Sequence, residues 1–201
     1  MSINVCNNNS MAAITSLPSG VGGGSLNLIS TQTASSSSTI SFTSGIDSTY
    51  KEYIFKFYDI HPATDNVDFQ VNFSSDSGSN YNVTKTTTFF AAYQNESGSA
   101  TALTYADAND LAQSTGFQML NDGVGNGNDE SCVGTLHLFD PSNTTFVKHF
   151  MAISHRHYYL DYAIVDYMAG YCNTTSAIDA VQFKFESGNI DSGTIKLYGV
   201  S

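Results

Sequence analysis

In the stretch YKEYIFKFYDIHPATDNVDFQVNFSS, residues 50–75, an alternation of aromatic and polar side chains occurs twice. Tyr53, Phe55 and Phe57 share one face of a first strand, and Val67, Phe69, Val71 and Phe73 share one face of a second, because successive side chains of a strand point to opposite sides. The polar segment from Asp59 to Asn66 contains Pro62, which has no N–H to give to a ladder and so marks the turn. The spacing predicts two neighbouring strands joined at a tight corner, with the rest of the chain built to cover their aromatic face.

Working outward, residues 25–30 (SLNLIS) and 39–43 (TISFT) read as short strands around a serine loop at residues 35–38. Downstream, the same pattern marks residues 83–93, 115–120, 131–140, 145–154, 162–172, 180–185 and 193–200 as strands. Turns fall at residues 95–101, 121–130 and 189–192. Only residues 105–113 (YADANDLAQ) suit a short helix, with Asp107 as its cap and Ala108, Leu111 and Ala112 on one side. Eight to ten short strands with almost no helix and no internal repeat predict an all-β fold. The expected architecture is an antiparallel β-sandwich of jelly-roll type, one domain over residues 26–201, preceded by an extended N-terminal arm over residues 1–25.

The 201 residues carry 18 acidic groups against seven Lys plus Arg, a formal net charge of −11, yet charged residues are only 12% of the chain. That is about half the usual share, so the surface is rich in hydroxyls and amides. Without a Lys/Arg cluster to neutralise phosphates, nucleic acid is not an expected partner. No run approaches the roughly 18 apolar residues that span a bilayer, and no secretion signal opens the chain, so no membrane partner is expected. Cys6, Cys132 and Cys172 are three, with no metal-ligand spacing, and read as reduced thiols, the last two packed in strands. The Asn-x-Ser/Thr triplets are what so Asn- and Ser-rich a chain produces by chance. The arm, ending in Gly22-Gly23-Gly24, is too polar to order itself. It reads either as a disordered tail or as a segment ordered on a neighbouring subunit, with Ile14, Leu17, Pro18 and Val21 as its contacts.

Three segments carry a resemblance: SFTSGIDSTYKEYIFKFYDIHPATDNVDFQVNF (residues 41–73), GTLHLFDPSNTTFVKHFM (134–151) and GYCNTTSAIDAVQFKFESGNIDSGTIKLYGV (170–200). They resemble small structural proteins of tailed bacteriophages, especially phages of marine bacteria, over about 160 residues, with SGNIDSGTIKLYG the most specific piece; the arm lies outside it. The resemblance implies a jelly-roll-like virion subunit without catalytic activity, assembled in the host cytoplasm. The first expectation is a capsid cement or decoration protein, a homo-trimer whose arm clamps the major capsid protein. The alternative is a tail-fibre or receptor-binding module that meets host-surface glycan, with tail proteins as partners.

Functional side chains are densest in KHFMAISHRHYYLDY, residues 148–162. His149, His155, Arg156, His157, Tyr158, Tyr159 and Tyr162 suit a polar contact surface, where aromatic and Arg anchors concentrate binding energy. His155 and His157 share a strand face, and with Asp161 they also suit a first-row metal, while an exposed loop is the plain reading. Asp122, Asn126, Asn128, Asp129 and Glu130 could gather oxygens around calcium, but Val124 breaks the EF-hand pattern. The expectation is no metal and no cofactor. With no G-x-S-x-G, H-E-x-x-H or phosphate loop, and no carboxylate pair that stands out from solvated acids, no enzyme is expected.

Overall fold

The computed structural model describes residues 25–201, so the arm contacts Ile14, Leu17, Pro18 and Val21, and Cys6, lie outside the described residues. The strands are β1 (Leu26–Thr33), β2 (Ile40–Phe42), β3 (Glu52–Pro62), β4 (Val67–Ser74), β5 (Lys85–Asn95), β6 (Thr101–Tyr105), β7 (Gln118–Val124), β8 (Cys132–Phe139), β9 (Lys148–Tyr158), β10 (Tyr162–Cys172), β11 (Ala180–Phe185) and β12 (Ile190–Val200). All pair antiparallel. A large sheet runs β6-β5-β10-β9-β8-β3-β12-β1, and a smaller one runs β2-β11-β4-β7. They meet at one side through the pair Val124↔Tyr158. At the other side, Ser37 between β1 and β2 bridges Ile190 of β12, so the sandwich is nearly closed into a barrel.

The two strands read from residues 50–75 are present, but they are not hydrogen-bonded neighbours. Both edges of each are occupied, β3 by β12 and β8, and β4 by β11 and β7. The corner between Pro62 and Val67, with Asn66 at φ 55°, instead carries the chain from the large sheet into the small one. The consecutive strands β11 and β12 make the same crossing in reverse and pair with β4 and β3, as in a jelly roll.

The aromatic faces of β3 and β4 therefore meet across the core. Phe57 lies 5.5 Å from Phe69, Phe55 lies 5.5 Å from Phe183 of β11, and Phe73 lies 4.7 Å from Phe150 of β9. The offset and tilted geometries are those that aromatic quadrupoles favour. Tyr53 is fully buried and gives its hydroxyl to the Asp47 backbone carbonyl at 3.0 Å, which satisfies its one polar atom. Cys132 and Cys172 are free thiols buried in β8 and β10, and burial pushes the Cys172 thiol up to about 12.

Three local expectations are corrected. Residues 105–113 are not a helix but the 3-10 turn Asp107–Asn109, without a side-chain cap; Ala108 and Ala112 are exposed. The segment is held instead by β5, through Ala106 N–H to Phe89 O, Thr87 N–H to Leu111 O and Leu111 N–H to Thr87 Oγ1. Residues 101–105, for which no strand is expected and of which Thr101 falls in the expected turn and Tyr105 in the expected helix, form the edge strand β6. The strand predicted to stop at Leu120 runs on to Val124, because Gly123 N–H is held by Asp68 and Asn121 is bonded inward.

Candidate functional site

Strand alternation divides the cluster of residues 148–162 between two faces of the large sheet. His149, His155 and His157 point outward, His149 at the far end of β9, where its ring lies 6.3 Å from Tyr171. Arg156 and Tyr158 point inward. Arg156 is only 4% exposed, which corrects its reading as a surface contact. An odd number of residues separates the histidines from one another, so an Arg between two of them must take the opposite face.

On the inner side the large sheet outreaches the small one. Beyond β7, the edge of the small sheet, a cavity of about 270 Å³ opens on the inner face of the large sheet, lined from β5, β7, β9 and β10. Tyr93 of β5, Tyr158 of β9 and Tyr162 of β10 form its aromatic wall, with Tyr162 lying 5.7 Å from Tyr93 and 5.9 Å from Tyr158 in edge-on contact. Tyr159 stands against Tyr158, 4.5 Å between ring centroids, and burial with Tyr159 alongside pushes the Tyr158 phenol up to about 12. Gly123 is required here: at φ 63° it turns the end of β7, and a Cβ there would meet the Tyr158 ring at 2.5 Å.

Arg156 lines the cavity and donates from Nη1 to Asp166 Oδ2 at 2.8 Å. The same oxygen accepts from Asn121 Nδ2 at 2.9 Å, and Asn121 also donates to Ser154 Oγ. Around this network Arg156 Nε, Asp166 Oδ1 and Asn121 Oδ1 are buried with no partner among the described residues. Native interiors leave few such atoms unpaired. Burial pushes Asp166 up to about 7, with Arg156 and Asn121 pulling the other way. Nearby Asp68 is raised to about 6, by burial first and by the charges of Asp122 and Glu186, against the Gly123 N–H that it accepts.

Histidine 157 sits between carboxylates, its Nε2 3.6 Å from Glu96 and its Nδ1 3.5 Å from Glu130. Glu130, His157 and Asp161 each present a ligand atom within 4.8 Å of the others. One of the five calcium candidates, Glu130, thus converges with two of the three first-row metal candidates, His157 and Asp161 of the hairpin. His155, Asp122 and Asn126 are not in the set. Glu130 is also held by Gly127 N–H, which suits an ion-paired loop closure. Mass spectrometry of the purified protein is expected to find no stoichiometric transition metal, and zinc or nickel lost in His157→Ala would reverse that expectation.

The outward face differs in kind. Over β6, β5, β10, β9 and β8, the outward positions include Tyr105, Leu103, Phe90, Tyr167, Met151, Ile153 and Val133, with Phe90 stacked on Tyr167 at 4.9 Å. Leu103, Tyr105 and Ile153 are each more than half exposed. No Asp, Glu, Lys or Arg occupies an outward position on these five strands; histidine is the only titrating type besides tyrosine. Sequence reasoning missed this face, and also Tyr93, Asn121 and Asp166, and it placed Asp122 only in a calcium loop. The signal for Asp166 is its place between Ile164 and Met168 on a buried face, where a carboxylate demands a partner. Compared with protein-family models, with curated proteins and with solved structures, the chain matches none.

Proposed function

We propose that the protein is a non-enzymatic structural subunit of a tailed-bacteriophage virion, a capsid cement that acts as a homo-trimer. The observation that carries this reading is the apolar outward face of β6, β5, β10, β9 and β8, on which no outward position holds a carboxylate. In a chain of formal net charge −11, copies repel one another over most of their surface. They can approach across five strands whose outward positions carry no carboxylate, and burying Phe90, Ile153 and Leu103 there supplies the drive. The occupant of this face is therefore a second copy. The three segments that resemble phage structural proteins support the virion, and the arm, which precedes β1 at the sheet's outer edge, is left to reach the major capsid protein.

Sedimentation equilibrium is expected to give a mass of three copies, and Phe90→Asp with Ile153→Asp to give the 21.6 kDa monomer with unchanged circular dichroism. A monomeric wild-type protein would overturn the reading. Quantitative gels of whole particles then separate the locations: a copy number close to that of the major capsid protein supports cement, and one matching the fibres makes this the receptor-binding module.

A further inference from the structure

We infer that the cavity walled by Tyr93, Tyr158 and Tyr162 binds one ring of a neutral saccharide, with Arg156 and Asp122 as its polar contacts. Its inner-face position makes it independent of the assembly face on the other side of the sheet.

The shape comes first. About 270 Å³ lies at the small end of the roughly 300–1,000 Å³ of ligand sites, which is room for one ring and not for a chain. Three tyrosines offer flat apolar faces for C–H groups, and each carries a hydroxyl for the ring's edge. The chemistry of the floor comes second. Arg156 is 4% exposed, lines the cavity, and gives one N–H to Asp166 with no other protein acceptor among the described residues. A guanidinium buried with open donors on a cavity calls for acceptors from outside. Asp122 lines the same cavity and calls for donors. Adjacent hydroxyls accept and donate at once, so a polyol answers both.

Charge excludes the anionic alternatives. The single guanidinium is already matched by Asp166, and Asp122 and Asp68 stand close by, so a sulfate, phosphate or uronate would meet net negative charge. A neutral ring meets none.

The test uses the full chain and saturation-transfer NMR with a panel of methyl glycosides of neutral hexoses, 6-deoxyhexoses and N-acetylhexosamines. At least one is expected to bind with a millimolar dissociation constant. Tyr162→Ala, on the half-buried rim, is expected to weaken that binding by about tenfold while the oligomer mass stays unchanged. Asp122→Asn is expected to weaken it as well and keeps the fold readable where Arg156 variants do not. No binding by any neutral glycoside, binding of glucuronate or N-acetylneuraminate in their place, or binding undiminished in Tyr162→Ala would each overturn the assignment.

Discussion

Replacing Phe183 by alanine is expected to cost about 3–5 kcal/mol of stability, the range for emptying a buried phenylalanine site. The ring is fully buried on β11 and touches aromatic neighbours from three other strands: Phe42 at 6.3 Å, Phe55 at 5.5 Å, Phe57 at 6.4 Å and Phe69 at 5.9 Å. Phe42 and Phe69 belong to its own sheet, whereas Phe55 and Phe57 belong to the facing one. The void would therefore lie between the sheets, where neither can relax toward the other without dragging its ladder. Thermal unfolding followed by circular dichroism should show a fall on the order of 10 °C. Phe183→Leu should lose much less, since it leaves most of the volume filled. Phe146, 68% exposed, provides the contrast: Phe146→Ala is expected to stay within about 0.5 kcal/mol of the wild type. Equal losses at the two positions would mean that the aromatic seam between the sheets does not hold the sandwich together.

Why that seam was legible and the cavity was not follows from what alternation encodes. A period of two states which residues share a face, and Val67 to Phe73 and Val181 to Phe185 are buried on the faces that their spacing predicts. It says nothing about which edge pairs with which. Hence the spacing alone makes neighbours of β3 and β4, adjacent in the chain, although they face each other across the core. Alternation also fails where both faces are wet: Thr101 to Tyr105 carries the burial of an exposed edge, and only pairing with β5 makes it a strand. The cluster of His155 to Tyr162 was visible as a concentration of side chains, yet its division into an outer histidine row and an inner Arg156–Tyr158 row needed the strand to be drawn through it. Tyr93 and Asp122 reach the cavity from β5 and β7, far apart in the chain, and no local pattern joins them. The uncharged outer face had a local signal, since the outward positions of β5, β9 and β10 lack charge as a set, but it is readable only once their register is known.

Arg156→Ala should be the second large loss, and its dependence on pH distinguishes it from a simple cavity. Arg156 and Asp166 are both almost wholly buried, and removing one partner of such a pair costs about 3–5 kcal/mol because the other charge is stranded. Asp166 already stands near 7 in the folded protein against an ordinary 3.8, so between those values the native state binds more protons than the unfolded chain. Its contribution to stability is therefore present at low pH and is lost as pH rises toward 7. Without the guanidinium the folded carboxyl holds its proton to still higher pH, and the loss continues past the point where the wild type levels off. The gap between the two proteins in urea unfolding should be small near pH 5, where both carry a neutral Asp166, and should widen as pH rises through 7. At pH 5 what remains is the lost packing over Tyr158, whose ring the guanidinium covers at 5.5 Å. Arg156→Met combined with Asp166→Leu removes both charges and should recover most of the loss at pH 8, since an apolar pair of similar volume replaces an ion pair whose desolvation was only partly offset. A gap that is flat in pH, or a double variant as unstable at pH 8 as Arg156→Ala, would show that the pair contributes shape alone.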